Sequence, residues 1–540
     1  MSNDNGKPAA EAPGLNDSAR GPWYADMTRY HWLVLIFCTL GWTFDCFDQQ
    51  LFALCRAPAM AELLGVAESD TRVVGYGTLA TSLMLIGWAT GGIFFGIWAD
   101  KYGRVRIMCI TLAFYACFTG LSGIAQNVST FMIFRFLTGL GIGGQFAVCA
   151  TLIAESLSNR SRPIALGTMQ AFASIGNLSA ALATFVIGQL ILIGILWGSA
   201  WRWSFMLGFL PMILVYLNWR YLREPEVWKK SVAEAKADGR KTGSILELFG
   251  DRTICYRVIV GMLFAMVGVI GFWGIMLFAI DLNRTAFADQ SVQWAVAGLK
   301  IELSPEEKEF MRQKKEITLR KDDSFKLDLT KWETWSTFIF PVANEAKKEE
   351  IANLQAALTP ESVERIGNVQ KLAGSKMGDI GALTSALINI GGFLGIFSFT
   401  YVTNIIGRRK AFTIFLTASM FSVMAVFMLV KDLTSLCIYV PMMGFAISSL
   451  MGGYTIYFPE LFPTRLRSTA VSFCYNVGRY VAAVGPIIFG IIALFVAEMA
   501  GDTDPAWKLR MAGFLMSPIF LLGIALIWML PETHGKPLPE

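Results

Sequence analysis

The sequence predicts an all-α polytopic membrane protein whose twelve transmembrane helices form two parallel six-helix repeats. Three observations carry that prediction. First, of 540 residues 54% are apolar and only 16% charged, against about 25% charged in soluble chains. Second, apolar stretches of about twenty residues, the length of a bilayer-crossing helix, recur from Tyr30 to Leu530. Third, charged motifs at the ends of these stretches repeat at a nearly constant offset of 304–305 residues. The short alternating strands of a membrane β-barrel would not give such long runs. The 50 glycines and 40 phenylalanines suit helices packed closely enough to leave no backbone polar group unsatisfied.

The polar tail over residues 1–29 is rich in Gly, Pro, Asn and Asp. It is expected to be disordered and cytosolic, and it lacks the basic stretch and short apolar region of a signal peptide. Spans follow near 31–55, 73–98, 105–125, 129–155, 164–193 and 202–222, making an N-terminal half over 30–222. A cytosolic linker at 223–254 leads to span 7 (255–282), an outer-side insertion at 283–378, spans 8–12 within 379–530 and a cytosolic tail at 531–540. Spans 8–12 lie near 379–403, 411–430, 434–458, 468–496 and 510–530. With both termini on the cytosolic side of the cell membrane, the short inner loops hold nineteen Lys plus Arg and the short outer loops six, which is the positive-inside asymmetry. Eight of the nine cysteines lie in or at the inner edge of spans, and the ninth, Cys55, is near the outer end of span 1. No disulfide framework is therefore expected. His31 and His534 stand at opposite ends of the chain, so neither a metal site nor a cofactor is called for.

The repeat is read from the loops. Gly103-Arg104 after span 2 recurs as Gly407-Arg408 after span 8. Glu155, Arg160 and Arg162 after span 4 recur as Glu460, Arg465 and Arg467 after span 10. Arg223-Glu224-Pro225 after span 6 is echoed by Pro531-Glu532. Two halves related by an axis along the membrane normal follow. Span 1 to span 7 is offset by only about 224, so roughly eighty extra residues lie between spans 7 and 8. The insertion carries fifteen basic and fifteen acidic residues. Its Ser304-Pro-Glu-Glu307 and Thr359-Pro-Glu361 read as capped helix starts. The aromatic run Trp332–Phe340 is too short to span but suited to a membrane surface or to the outer mouth.

Gly96-Ile-Trp-Ala-Asp100-Lys-Tyr-Gly103-Arg104-Val-Arg106 resembles the loop 2–3 signature of the major facilitator superfamily, and Arg135-Phe-Leu-Thr-Gly139-Leu-Gly141 resembles its span 4 motif. Pro459-Glu-Leu-Phe-Pro-Thr-Arg465-Leu-Arg467 and Pro531-Glu-Thr-His-Gly-Lys resemble the sugar-porter-like branches. Asp45-Cys-Phe-Asp48 is similar to the Asp-Gly-Phe-Asp element of aromatic-acid and sialate proton symporters, with Cys46 in the glycine position. The resemblance covers about 30–282 and 378–537 and implies the major facilitator fold. Asn404 stands where the second loop signature often has Asp, and Gln145 where Glu is frequent.

Charges inside a bilayer are costly unless paired or hydrated, which makes Asp45, Asp48, Arg135 and Arg479 the shortlist for chemistry. Asp45 and Asp48 share one face of a helix. Two carboxylates so close in a low dielectric resist ionising together, so one is expected to hold a proton, and proton coupling through this pair follows. The alternative is a static ion pair with Arg135. Arg479 lies about eleven residues into span 11, roughly 17 Å along a helix, near the depth where transporters hold solute. Its planar fork suits a carboxylate; a structural ion pair or a cap on backbone carbonyls is the equal alternative. Gln145, Gln170, Asn177, Trp273, Asn389 and Asn476 could add hydrogen bonds or stacking, or serve only as helix-packing glue. Asp100, Arg104, Arg106, Glu155, Arg160, Arg162, Arg408, Glu460, Arg465 and Arg467 place opposite charges at the inner helix ends, as a conformational latch or simply as topology signals.

The expected function is secondary active transport, with proton-coupled symport of a small organic solute by alternating access. The chain is not expected to be an enzyme; no Walker-type phosphate loop is present. Uniport, export, or a transporter-like receptor working through its insertion are the alternatives. Expected partners are the solute, protons and the lipid bilayer, with no nucleic acid and a monomeric state. Sugar, sugar acid, aromatic acid and other carboxylates remain open as substrates.

Overall fold

The computed structural model describes residues 22–66, 71–239, 242–319, 345–483 and 505–539. Within them regular structure is helical, and eleven helices are long and apolar enough to cross a membrane. The helix of span 11 is described over Arg467–Ala483; its expected continuation to 496 lies outside the described residues. So do residues 1–21 of the N-terminal tail and the aromatic run 332–340. Residues 22–28 lead into the first helix, Arg29–Leu64, which Thr28 caps by accepting from the His31 N–H.

Both halves are built on the same contacts. In the first, spans 2 (Thr71–Tyr102) and 4 (Val128–Ser156) pack face to face. In the second, the helices Pro360–Ile406 and Leu433–Leu461 do the same. Glycines set the spacing: a Cβ on Gly91 would lie 1.9 Å from the Leu140 carbonyl oxygen, and one on Gly395 2.0 Å from that of Phe445. These equivalent pairs keep the 304–305 offset of the loop motifs. Small residues let helix backbones touch where lipid gives no hydrophobic drive to associate. The caps repeat too: Asn127 accepts from the Thr130 N–H at 2.8 Å to start span 4, and Asp432 accepts from the Ser435 N–H at 2.8 Å to start span 10.

Several spans are broken. The expected span 5 divides at Phe172 into Arg162–Ala171 and Ala173–Leu192. Span 6 comprises Ala200–Met206 and Met212–Tyr221, with a short 3₁₀ turn between. Span 7 runs from Arg252 to Val269, widens into a π-helical turn over Ile270–Ile275 and resumes at Met276–Ala286.

Within 283–378, helices Ala288–Leu299, Pro305–Leu319 and Glu345–Ala356 precede the long helix Pro360–Ile406. The end of the insertion therefore continues into span 8 without a break, and the 47-residue helix is about 70 Å long. The insertion has its own small core of Ala295, Leu303, Val369 and Ala373 and a Glu307–Arg365 ion pair of 3.0 Å. Both expected helix starts are present: Ser304 and Glu307 cap each other reciprocally, and Thr359 accepts from the Ser362 N–H at 3.2 Å. All nine cysteines are free.

Because Gly91 meets backbone rather than a flexible side chain, Gly91→Ala is expected to cost about 1–3 kcal/mol as an overpacking change. It should lower the unfolding temperature of the purified protein. Gly188→Ala, whose Cβ would meet nothing within 4 Å, should leave that temperature unaltered, and equal values for the two variants would contradict the close-approach account.

Candidate functional site

Three groups of polar residues are buried among the spans. The first lies within the N-terminal half. Asp45 and Asp48 are both buried on span 1, and Arg135 of span 4 reaches only Asp48, with Nη1 3.5 Å from Oδ1. The arginine is held from several sides. Its Nε and Nη2 donate to the Ser122 hydroxyl at 3.1 and 2.6 Å, Nη2 donates to Thr138 at 3.1 Å, and the guanidinium lies over the Phe205 ring at 4.6 Å. Asp45, one turn deeper, forms no ion pair among the described residues.

The second group joins the halves. Arg479 is 2% exposed. Its guanidinium lies 4.0 Å from the Trp88 ring of span 2 on one side and 4.5 Å from the Tyr475 ring on the other, a cation–π sandwich. Nη1 donates to Asn476 Oδ1, while Nε has no hydrogen-bond partner among the described residues. Trp88 meets Trp273 edge to face at 5.9 Å, and Tyr475 stacks on Phe146 at 4.6 Å, which packs on Trp42 at 4.7 Å. The π-helical turn carries Trp273 into this group; such turns are frequent at functional sites.

Of the neutral candidates, only Trp273 and Asn476 gather at this centre. Asn177 donates to Asn389 at 2.9 Å across the halves. Gln170 accepts from Thr455 at 3.3 Å, and Gln145 accepts from Thr111 at 2.8 Å while its Nε2 is unpartnered. Trp88 and Tyr475 were missed as site residues by sequence reasoning. Their only signal is aromatic character within apolar spans, and core packing gives the same signal. Surface clefts of about 470 and 370 Å³ lie elsewhere, one beside Glu247 and Arg465, the other beside Glu62 and Trp201.

The third group sits on the face that carries the chain ends. Glu155 binds Arg104 in a bidentate pair, Nη2 to Oε1 at 3.0 Å and Nε to Oε2 at 3.1 Å. It also accepts from Arg467 of the other half at 3.0 Å. Asp100 accepts from the Thr469 N–H at 2.8 Å, the Thr469 hydroxyl at 2.6 Å and the Ser468 N–H at 3.2 Å, so it caps the start of span 11 from across the interface. Arg104 pairs with Asp100 at 2.9 Å and donates to the Thr464 carbonyl at 3.0 Å.

In the second half Arg408 repeats the bidentate pair with Glu460 at 2.9 and 3.1 Å. Arg162 and Arg467 each donate Nε to a carbonyl eight residues back, Ala154 and Pro459, at 2.8 and 3.0 Å. Arg465 pairs with Glu247 of the linker, and the Arg106 side chain is exposed. Glu224 and Glu532 cap the helices that begin at Arg104 and Arg408. Burial pushes the Glu532 carboxyl up, but four backbone N–H donors outweigh it and hold it below the ordinary carboxylate range.

The family model described as Major Facilitator Superfamily matches residues 32–299, and that described as Sugar (and other) transporter matches 336–534. A putative metabolite transport protein of Haemophilus influenzae is 25% identical over 95% of this chain and 99% of its own. The cis,cis-muconate transport protein of Acinetobacter baylyi is 32% identical over 39% of this chain and 49% of its own. A sialic acid transporter of Escherichia coli is 31% identical over 38% and 47%. Among solved structures, the proton:xylose symporter XylE aligns with a TM-score of 0.58 at 15% identity, covering 94% of this chain and 98% of that one.

Removing one partner of a buried ion pair leaves a bare charge. Arg467→Ala should therefore cost about 3–5 kcal/mol. Arg465→Ala, which breaks a partly exposed pair, should cost about 1 kcal/mol or less. Thermal unfolding of both variants would check the order, and the reverse order would rule out Glu155 as the junction of the halves.

Proposed function

The chain belongs to the major facilitator superfamily, a family of multi-pass membrane transporters rather than enzymes, and on that premise we propose that it carries a small organic carboxylate together with protons by alternating access. The observation that carries this reading is Arg479. It is a buried guanidinium at the junction of the halves, stacked between Trp88 and Tyr475, with Nε unpartnered. A planar carboxylate would satisfy that donor, and the aromatic rings around it would favour a flat or ring-bearing acid. Relatives named for cis,cis-muconate, sialic acid, niacin and 4-hydroxybenzoate share a carboxylate and little else.

Asp45 and Asp48 supply the proton site beside this centre, with Arg135 serving Asp48. Trp42, Phe146 and Tyr475 link span 1 to Arg479 through ring contacts, so the solute and proton sites share side chains. The positive-inside count assigns the face of the chain ends to the cytosol. The cluster around Glu155 then latches the cytosolic side shut, and opening it requires breaking Glu155–Arg467 and freeing Asp100 from span 11. These bonds give the alternating-access cycle two discrete arrangements.

The reading is tested in proteoliposomes with an imposed pH gradient, using labelled cis,cis-muconate, sialic acid and xylose as probes. Accumulation of an acid that disappears when the gradient is collapsed is expected. For the acid so identified, Arg479→Lys should weaken binding and Arg479→Ala weaken it more, by about 2–5 kcal/mol. Preference for xylose with unaltered affinity in Arg479→Ala would remove the carboxylate assignment, and accumulation indifferent to the gradient would remove proton coupling.

A further inference from the structure

The guanidinium of Arg479 can be reached only within its own plane. Trp88 of span 2 covers one face at 4.0 Å and Tyr475 the other at 4.5 Å. Within that plane Nη1 donates to Asn476 Oδ1, one turn back along span 11, and this is the only hydrogen bond of the guanidinium among the described residues. Nε is buried and unpartnered among them. An arginine presents its in-plane donors as two forks, one between the terminal nitrogens and one between Nε and Nη2. With Nη1 engaged, the fork that stays whole is the one containing Nε.

Asn476 is itself fixed from two sides. It is buried, and its Nδ2 donates to the Ser472 carbonyl at 2.8 Å, which leaves Oδ1 as the atom that meets Arg479. A carboxamide can play both parts because it carries donors on one atom and an acceptor on the other. The opposite half of the protein holds it there. A Cβ on Gly92 of span 2 would lie 2.0 Å from Nδ2 and 2.7 Å from Oδ1, so the amide fills the space that a larger residue at 92 would take. Trp88 and Gly92 are four residues apart on span 2, as Asn476 and Arg479 are three apart on span 11. Both contacts therefore come from one pair of helix faces.

We propose that Asn476 is a positioning residue of the solute site: by engaging Nη1 it turns the Nε edge of Arg479 to the solute and restricts the solute's anionic group to a planar carboxylate. A carboxylate places both oxygens in the plane of the guanidinium and accepts two parallel hydrogen bonds. A sulfonate or phosphonate must put a third oxygen out of that plane, against the negative face of the Trp88 or Tyr475 ring. The amide is neutral, so Arg479 keeps its charge for the solute, whereas an acid at 476 would neutralise it. This inference rests on the carboxylate reading above and adds the group that sets its geometry.

Calorimetric binding of 4-hydroxybenzoate and of its tetrahedral counterpart 4-hydroxybenzenesulfonate to the full-length protein in detergent tests this. Wild type should bind the carboxylate more tightly by about tenfold, the equivalent of one hydrogen bond to a charged group. Asn476→Ala frees the guanidinium to turn, so it should weaken carboxylate binding by about the same factor and bring the two affinities together. Gly92→Ala, which displaces the amide while leaving Arg479 and Asn476 in the sequence, should do likewise. Asn476→Asp, equal in size, should lose both anions. Thermal unfolding identifies any variant that fails to fold, and the remaining variants then carry the test. An unchanged affinity ratio in folded Asn476→Ala or Gly92→Ala, wild-type affinities in Asn476→Asp, or a wild type that does not discriminate between the anions would overturn the proposal. If Arg479→Ala still loses the carboxylate in those cases, the anchor stands and only the positioning role falls. Carboxylate binding that is absent from wild type, or indifferent to Arg479→Ala, removes both.

Discussion

The carboxylate of Glu155 accepts from two guanidinium groups, Arg104 of its own half and Arg467 of the other, and the contact between the halves at this face depends on that shared acceptor. All three side chains are buried. A buried charge is tolerated only when its lone pairs and protons are used, so the positions of span 3, span 4 and span 11 at this face are tied together. Arg104 extends the tie to the Thr464 carbonyl and Arg467 to that of Pro459. Asp100 completes it by capping the first turn of span 11. Any displacement of one half against the other at this face would break several of these bonds at once.

The two halves repeat this chemistry but not its reach. Arg408 and Glu460 copy Arg104 and Glu155, yet Glu460 spends an oxygen on the Thr533 hydroxyl of the C-terminal tail. Asn404 stands where Asp100 stands in the first half, and it bonds Arg408 of its own half at 3.5 Å rather than a helix start across the interface. The strong cross-half bonds are thus concentrated at the start of span 11, the helix that also bears Arg479. That helix therefore carries both the inter-half bonds of this face and the buried guanidinium.

The fold was legible in the sequence to a large extent because membrane constraints act locally. Length and apolarity mark each span, and the repeat offset of Gly103–Gly407 and Glu155–Glu460 reappears in the contacts Gly91–Leu140 and Gly395–Phe445. The shortlist of buried charges was legible for the same reason, since Asp45, Asp48, Arg135 and Arg479 are costly wherever they point. The neutral candidates were not. An asparagine in a span can be a ligand or a packing bond, and Asn177 and Asn389 prove to bond each other. The break of span 5 at Phe172 and the π-helical turn at Trp273 also leave no local signature, because apolar periodicity carries through both.

The sequence by itself determined the membrane class, the number and order of the spans, the duplicated architecture and the set of charges that must be satisfied inside it. All of these follow from residue type and from spacing along one chain. Only the tertiary structure decided which charge answers which: that Arg135 reaches Asp48 and not Asp45, and that Arg479 lies between rings from opposite halves. Those pairings depend on how far one helix is rotated and shifted against another. Glycine contacts and buried hydrogen bonds between residues distant in the chain set that register, and no local pattern encodes it.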